Sequence, residues 1–269
     1  MSYIIKKSLD KPANDVINKL KSYFDVNDWE FNYINMHKFR CYDDVTNISN
    51  LSPKHVLNIG GAPYVFEAFA ISKGIKVSSL DLDPSRHITV IEKLGIDVLK
   101  VDIEDSEARS NLQIADFDVI AMCEILEHMR IDLIGMLRFL KNNMNRNACL
   151  YITTPNFYFL RNLLGVLKNK LSGPDLVSEW SKLEHFGHMG HVREYSKIEL
   201  VELFQYVGFE VASCMLRNRD SVIRRSLKNF VPSMVFTAIE RNIDLFAQEF
   251  VFKLRLKNDE GGVGPQNGH

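Results

Sequence analysis

Apolar residues in this chain gather in short runs that end at glycine or at a carboxylate. Val56-Leu57-Asn58-Ile59 stops at Gly60-Gly61, and the run after Lys76 stops at Asp81. Others stop at Asp102, at Cys123-Glu124 and at Thr154-Pro155-Asn156. Runs this short and this apolar predict buried strands at about 55–59, 76–81, 97–101, 117–122 and 148–153. Between them, at 64–73, 85–94 and 131–142, apolar positions recur at helical spacing. Strands alternating with helices require right-handed crossovers and a parallel sheet, an α/β fold. Ahead of it, Val16, Ile17, Leu20, Tyr23 and Phe24, then Phe31, Ile34 and Phe39, predict two helices within 12–42, in an N-terminal segment of about residues 1–50.

The first strand and its turn carry the chemistry. A strand that turns tightly at Gly60-Gly61 brings backbone N–H groups and a helix N-terminus up to an anionic or nucleotide ligand. A carboxylate at the end of the next strand, Asp81, can accept two ribose hydroxyls. Asn58-Ile59-Gly60-Gly61-Ala62-Pro63-Tyr64 lacks the three-glycine spacing of a pyrophosphate-binding turn. Tyr64 leaves two placements open: it narrows the ligand pocket, or it points away if the helix begins at Pro63.

The order and spacing of these segments, from about Val56 to Phe209, resemble the class I methyltransferases that use S-adenosylmethionine. The resemblance implies a doubly wound, mostly parallel, seven-stranded Rossmann-like sheet with helices on both faces. It also implies a C-terminal antiparallel hairpin of about 209–216 with 249–256, the domain spanning 51–257. It places the cofactor against Asn58, Gly60, Gly61 and Ala62, with Asp81 on the ribose, Leu82 beside the adenine and Asp102 and Ile103 at the adenine edge and face. Met122 and Cys123 line the floor near the sulfonium. In such enzymes Asn58 is usually acidic and Ala62 and Tyr64 are usually glycine.

For the acceptor, Glu124 and His128 would lie on one face of a helix following the fourth strand. With Glu127 they resemble the Glu-x-x-Glu-His of small-RNA 2′-O-methyltransferases, which bind a divalent metal. Metal-free members carry almost the same string, and no metal ligands are assigned. His185, His188 and His191 recur at every third residue among Gly187 and Gly190, which predicts a substrate-covering loop leading to a helix capped by Ser196 and Glu199. A hydroxyl acceptor needs a base, for which His191 leads and His128 and Glu124 follow. The segment 190–196, with Thr154-Pro155-Asn156, resembles methyltransferases of surface-polysaccharide and natural-product pathways. That makes Asn156, His185, His188, Arg193 and Tyr195 candidate substrate contacts and O-methylation of a sugar, glycan or lipid-linked precursor the expected reaction. A quinone or phenol acceptor, metal-assisted RNA methylation, and a catalytically inactive binding subunit remain alternatives.

Composition narrows the partners. The 269 residues are 46% apolar and 25% charged, with a formal net charge of −1. That balance fits a globular enzyme and gives no whole-surface attraction to nucleic acid. Four widely spaced cysteines without a CxxC pair read as reduced thiols, and the absence of a leader or long apolar run reads as cytoplasmic. Two basic amphipathic stretches, 159–171 and an insertion at about 217–247 that opens with Arg217 and Arg219, predict lidding helices whose charges face water or an anionic, lipid-linked acceptor. Residues 258–269 read as a disordered tail.

Overall fold

A computed structural model of the chain describes residues 2–159, 177, 181, 190–218 and 247–257. The chain begins with β1 (Ser2–Ile4), α1 (Lys11–Lys21) and α2 (Trp29–Ser49). It alternates through β2 (His55–Ile59), α3 (Val65–Ser72), β3 (Lys76–Asp81), a 3-10 turn (Pro84–His87), α4 (Ile88–Leu94), β4 (Asp97–Lys100) and α5 (Ser106–Ser110). Then come β5 (Val119–Cys123), a second 3-10 turn (Leu126–His128), α6 (Leu133–Asn143) and β6 (Cys149–Pro155). Among the described residues α7 (Lys197–Val207), β7 (Phe209–Asn218) and β8 (Glu249–Leu256) complete it.

All seven predicted strands form, and an eighth joins them in one sheet of order β1-β7-β8-β6-β5-β2-β3-β4. The five central strands are parallel, and β8 runs antiparallel to both β6 and β7. The additional strand, β1, pairs Ser2–Ile4 in parallel with Leu216–Asn218. Three residues are too short to show a period, so only the partner strand makes them a strand. α2 extends past the predicted limit of 42, to Ser49, because Val45 and Ile48 continue its buried face.

The pleat of β2 explains the two-sided burial. Leu57 and Ile59 enter a core with Met122, Ile152, Leu137 and Phe204 beneath α6 and α7. Val56 enters the opposite core with Val119, Tyr151, Phe69, Ile34 and Ile17 beneath α1, α2 and α3. Strands covered on both faces read as continuous apolar runs, which is why they were visible in sequence. The helix starts are equally local. Asp10 caps α1 by accepting from Ala13 N at 2.9 Å. Ser196 and Glu199 form the predicted capping box of α7, which ends at Gly208 with φ 103°.

One buried charge network ties the N-terminal helices to the sheet. Arg217 is fully buried in β7, where Nε donates to Glu249 Oε2 at 2.8 Å and Nη1 to Asp43 Oδ2 at 3.1 Å and to Asp44 of α2. Asp44 also accepts from Tyr151 OH of β6 at 2.9 Å. This corrects the reading of Arg217 as the start of a solvated basic insertion: β7 runs through it, and carboxylates contributed by distant segments compensate its charge. The amphipathic residues 160–171, the insertion from 219 to 246, the tail and His185 and His188 lie outside the described residues. The four cysteines are free thiols. No described helix is long and apolar enough to cross a membrane.

Candidate active site

The strand order reverses between β2 and β5, and in open α/β sheets the crevice beyond the carboxyl ends of such strands is where ligands bind. The glycine turn closes β2 at this point. Gly60 adopts φ 76°, and its N–H donates to Leu80 O at 2.8 Å, which ties the turn to β3. A side chain on Gly60 would run into Ile125, and one on Gly61 into the Glu67 carboxyl and the Tyr64 ring. Gly60 is therefore favoured conformationally, and at either position a side chain would have to displace a neighbouring one. Tyr64 itself takes a left-handed conformation, φ 65° and ψ 31°, as the residue before α3. Its ring is fully buried, edge-on to His87 with centroids 5.9 Å apart. The side chain thus packs inside the helical layer, with no surface left to line an open cleft.

Asp81 ends β3 beside this turn. Its Oδ2 accepts from Ala62 N and its Oδ1 from Asp83 N, each at 3.0 Å, so the carboxylate holds the turn as well as facing the crevice. Each oxygen has a second acceptor site for a ribose hydroxyl. Leu82 is exposed just beyond. Asp102 is half-buried and accepts from Glu104 N at 3.0 Å, and Ile103 is buried beside it. The exposed backbone at Gly60, the Asp81 carboxylate and the exposed apolar residue after it fit a nucleoside cofactor with a carboxylate tail.

Two expected cofactor contacts are corrected. Asn58 is buried on the α3 side of β2 and donates to Glu67 Oε1 at 2.7 Å, joined by Ser79 Oγ at 2.6 Å. Met122 is fully buried in the core beneath α6 and α7, so its side chain cannot line the floor; half-buried Cys123 follows it. In both cases strand alternation sends the side chain away from the crevice. Glu67 carries a testable signature. Burial pushes its carboxyl up to about 7 from the ordinary 4.5, against the pull of Asn58 and Ser79. A raised folded value means that the stability it contributes is complete below about pH 4.5 and is lost as pH rises through about 7. Wild type and Glu67→Gln should thus unfold at similar urea concentrations at the acid end, and by pH 8 wild type should be less stable by on the order of 3 kcal/mol. Parallel pH curves would contradict this.

The acceptor side is assembled by the segment after β5. Instead of the predicted helix, Glu124 adopts a left-handed conformation with φ 59°, and a 3-10 turn follows. The i, i+4 pairing of Glu124 with His128 is therefore replaced. Glu124 pairs with Arg40 of α2, Nη1 to Oε2 at 2.9 Å, and accepts from Thr153 Oγ1 at 3.2 Å. His128 instead meets His191, their rings edge-to-face at 5.0 Å. The loop carrying His191 is laid on the 3-10 turn: Val192 N donates to Glu127 O at 2.7 Å, and His128 Nδ1 donates to Gly190 O at 3.0 Å.

Glu127 lies between them, fully buried. Thr154 Oγ1 donates to its Oε2 at 2.9 Å, and its Oε1 stands 3.9 Å from His191 Nε2. His191 Nδ1 donates to Glu194 Oε1 at 3.1 Å. Burial pushes the Glu127 carboxyl well above the usual carboxylate range, and the charge of Glu124 adds to that. For His191 burial acts against protonation, but Glu194, Glu127 and Glu124 outweigh it and hold the imidazole above its ordinary value. Both shifts describe a carboxyl–imidazole pair that retains a proton. One ligand atom each from Glu127, His128 and His191 lies within 4.8 Å of the others, a group able to hold a metal ion.

The remaining expected substrate contacts fare differently. Asn156 is buried, its amide donating to Ala247 O at 2.9 Å and accepting from Tyr158 N at 3.1 Å. It shapes the chain after β6 and is corrected from substrate contact to turn residue. Arg193 is largely exposed, paired with Glu199 at 2.6 Å and lying over the Tyr195 ring, and Tyr195 is buried. Sequence reading gave no role to Glu194 or Arg40 and treated Glu127 only as part of a string. Glu194 lies within the 190–196 segment, whereas nothing local marks Arg40.

A family described as a methyltransferase domain matches residues 35–213. No curated protein matches the chain. A SAM dependent methyltransferase from Archaeoglobus fulgidus superposes with TM-score 0.53 at 18% identity, covering 84% of this chain and 99% of the other. A S-adenosylmethionine-dependent methyltransferase from Clostridium acetobutylicum gives 0.53 at 10% identity over 81% and 92%. The 1,6-didemethyltoxoflavin-N1-methyltransferase of Burkholderia thailandensis, with bound 1,6-didemethyltoxoflavin and S-adenosylhomocysteine, gives 0.51 at 15% identity over 94% of each chain. At such identities the likeness speaks to the fold.

Proposed function

The chain belongs to the methyltransferase-domain family and is an S-adenosylmethionine-dependent methyltransferase, and we propose that it methylates an oxygen of a sugar, glycan or lipid-linked precursor. The observation that carries this reading is the buried Glu127 carboxyl set against His191 and His128 beside the end of β5. A sugar hydroxyl is a poor nucleophile at neutral pH, and its attack requires a group that takes the proton as the new bond forms. An amine acceptor has a lone pair to offer once neutral and makes less use of such a group.

The bound cofactor supplies an electrophilic methyl group. Asp81 and the Gly60-Gly61 turn would hold its ribose and amino-acid ends, which would fix one partner of an in-line displacement. On the other side His191, oriented through Nδ1 by Glu194, presents Nε2 to the acceptor hydroxyl and takes its proton. The proton of the pair rests on Glu127 before transfer, and Glu194, bonded at Nδ1, stabilises the imidazolium that results. The loop at 190–195, bonded to the 3-10 turn, excludes water from that face.

Tritium transfer from labelled S-adenosylmethionine to methyl α-D-glucopyranoside and other methyl glycosides, to catechol and to a short RNA tests the reading. Glycoside labelling is expected, and labelling of catechol or RNA alone overturns it. In His191→Ala, S-adenosylhomocysteine affinity should stay nearly unchanged while turnover falls by on the order of 10²–10⁴-fold. Equal losses of both would contradict a base acting on the acceptor. The three-ligand grouping of Glu127, His128 and His191 favours a second reading, cation-assisted transfer at the same place. Running the assay after chelation separates the two, because only the second predicts activity lost with EDTA and restored by a divalent cation.

A further inference from the structure

Among the described residues, two contacts to Glu124 come from the central strands and a third from outside them. Its N–H donates to Thr153 O at 2.8 Å and its Oε1 accepts from Thr153 Oγ1 at 3.2 Å, both from neighbouring β6. The third is Arg40 Nη1, 2.9 Å from Oε2, with the two side chains only 6% and 10% exposed. Arg40 is itself held from behind. Its Nη2 donates to Tyr33 OH at 3.0 Å, two turns earlier on α2. α2 is anchored to the sheet one turn later, where Asp44 accepts from Arg217 and from Tyr151. The guanidinium therefore reaches Glu124 already oriented, and its planar fork serves both partners at once.

The arrangement matters because Glu124 has an adverse backbone and an adverse neighbour. A left-handed conformation is unfavourable for a side chain of this size. Buried Glu127 stands close enough for the two carboxyl groups to interact. Without a cation on its far side, the Glu124 carboxylate would turn out of the crevice. We propose that Arg40 is a positioning residue for methyl transfer, and that α2 thereby completes the acceptor side of a site otherwise built at the ends of β2, β3, β5 and β6 and by the loop at 190–195. This rests on the acceptor-side reading of Glu124 above.

The test pairs crystal structures with turnover, using full-length Arg40→Ala and Arg40→Lys bound to S-adenosylhomocysteine. In Arg40→Ala, Glu124 is expected to leave its left-handed conformation and lose Thr153 Oγ1. Transfer to methyl α-D-glucopyranoside should slow by roughly tenfold to a hundredfold in kcat, with S-adenosylhomocysteine affinity within about threefold of wild type. Arg40→Lys should recover part of the rate, and guanidinium ion should restore Arg40→Ala while leaving Glu124→Gln unaffected. Should Arg40→Ala not fold, Arg40→Lys carries the test through the position of Glu124 and the kcat loss. An unmoved Glu124, or cofactor affinity falling in step with kcat, would overturn the proposal. If wild type labels no glycoside, the acceptor reading fails, and the crystal structures still decide whether Arg40 holds Glu124.

Discussion

Replacing Asp81 by alanine is expected to weaken binding of S-adenosylmethionine and S-adenosylhomocysteine by at least roughly 10- to 150-fold, the equivalent of one charge-assisted acceptor worth about 1.5–3 kcal/mol. Two effects act in the same direction. The ribose loses a charged acceptor, and the glycine turn loses the anchor that Ala62 N makes at 3.0 Å. Asp81→Asn should lose less, since one oxygen remains to accept. Calorimetry of the three proteins against S-adenosylhomocysteine reads this directly, and an alanine variant that binds as tightly as wild type would remove the cofactor assignment at this position.

The largest effect on stability is expected at Arg217, in a substitution remote from the crevice. Arg217→Met removes a buried cation and leaves Asp44 and Glu249 with almost no exposure and Asp43 mostly covered. Breaking a buried charge network by removing one partner costs about 3–5 kcal/mol, because the remaining charges have lost both water and counter-ion. Urea unfolding should show that loss, and adding Asp44→Asn and Glu249→Gln should return a substantial part of it. A loss below about 1 kcal/mol would mean that the network is better hydrated than its burial indicates. The variant should also loosen α2, because Asp44 is the point at which that helix meets β6 and β7.

The fold was legible because it is built from local patterns. Strands buried on both faces give unbroken apolar runs, and helices between them give the 3.6-residue period. The capping box at Ser196 and Glu199 needs only four consecutive residues, and it formed as read. Gly60 was legible for a related reason: a positive φ in a tight turn favours glycine through the backbone of that residue alone. Illegible features were those whose partner is far along the chain. β1 has too few residues to carry a period, and Arg217 looks in sequence like any other arginine in a basic stretch.

The acceptor side shows the same division within a few residues. Glu124, Glu127 and His128 were picked out together, but a helical spacing rule paired Glu124 with His128. A left-handed residue at 124 broke that helix, sent Glu124 to Arg40 and left His128 facing His191. Asn58 and Met122 went the other way: the family resemblance places them at the cofactor, while the pleat buries them in opposite cores.

By itself, the sequence determined the parallel α/β sheet, the methyltransferase family and the glycine turn with Asp81, because each depends on residue types a few positions apart. Only the tertiary structure decided that Glu127 rather than Glu124 sits with the two histidines, that Tyr64 packs within the helical layer, and that the N-terminal helix α2 delivers Arg40 to the site. Those outcomes depend on which charges are desolvated together, and charge compensation acts through space between segments that the chain order keeps apart.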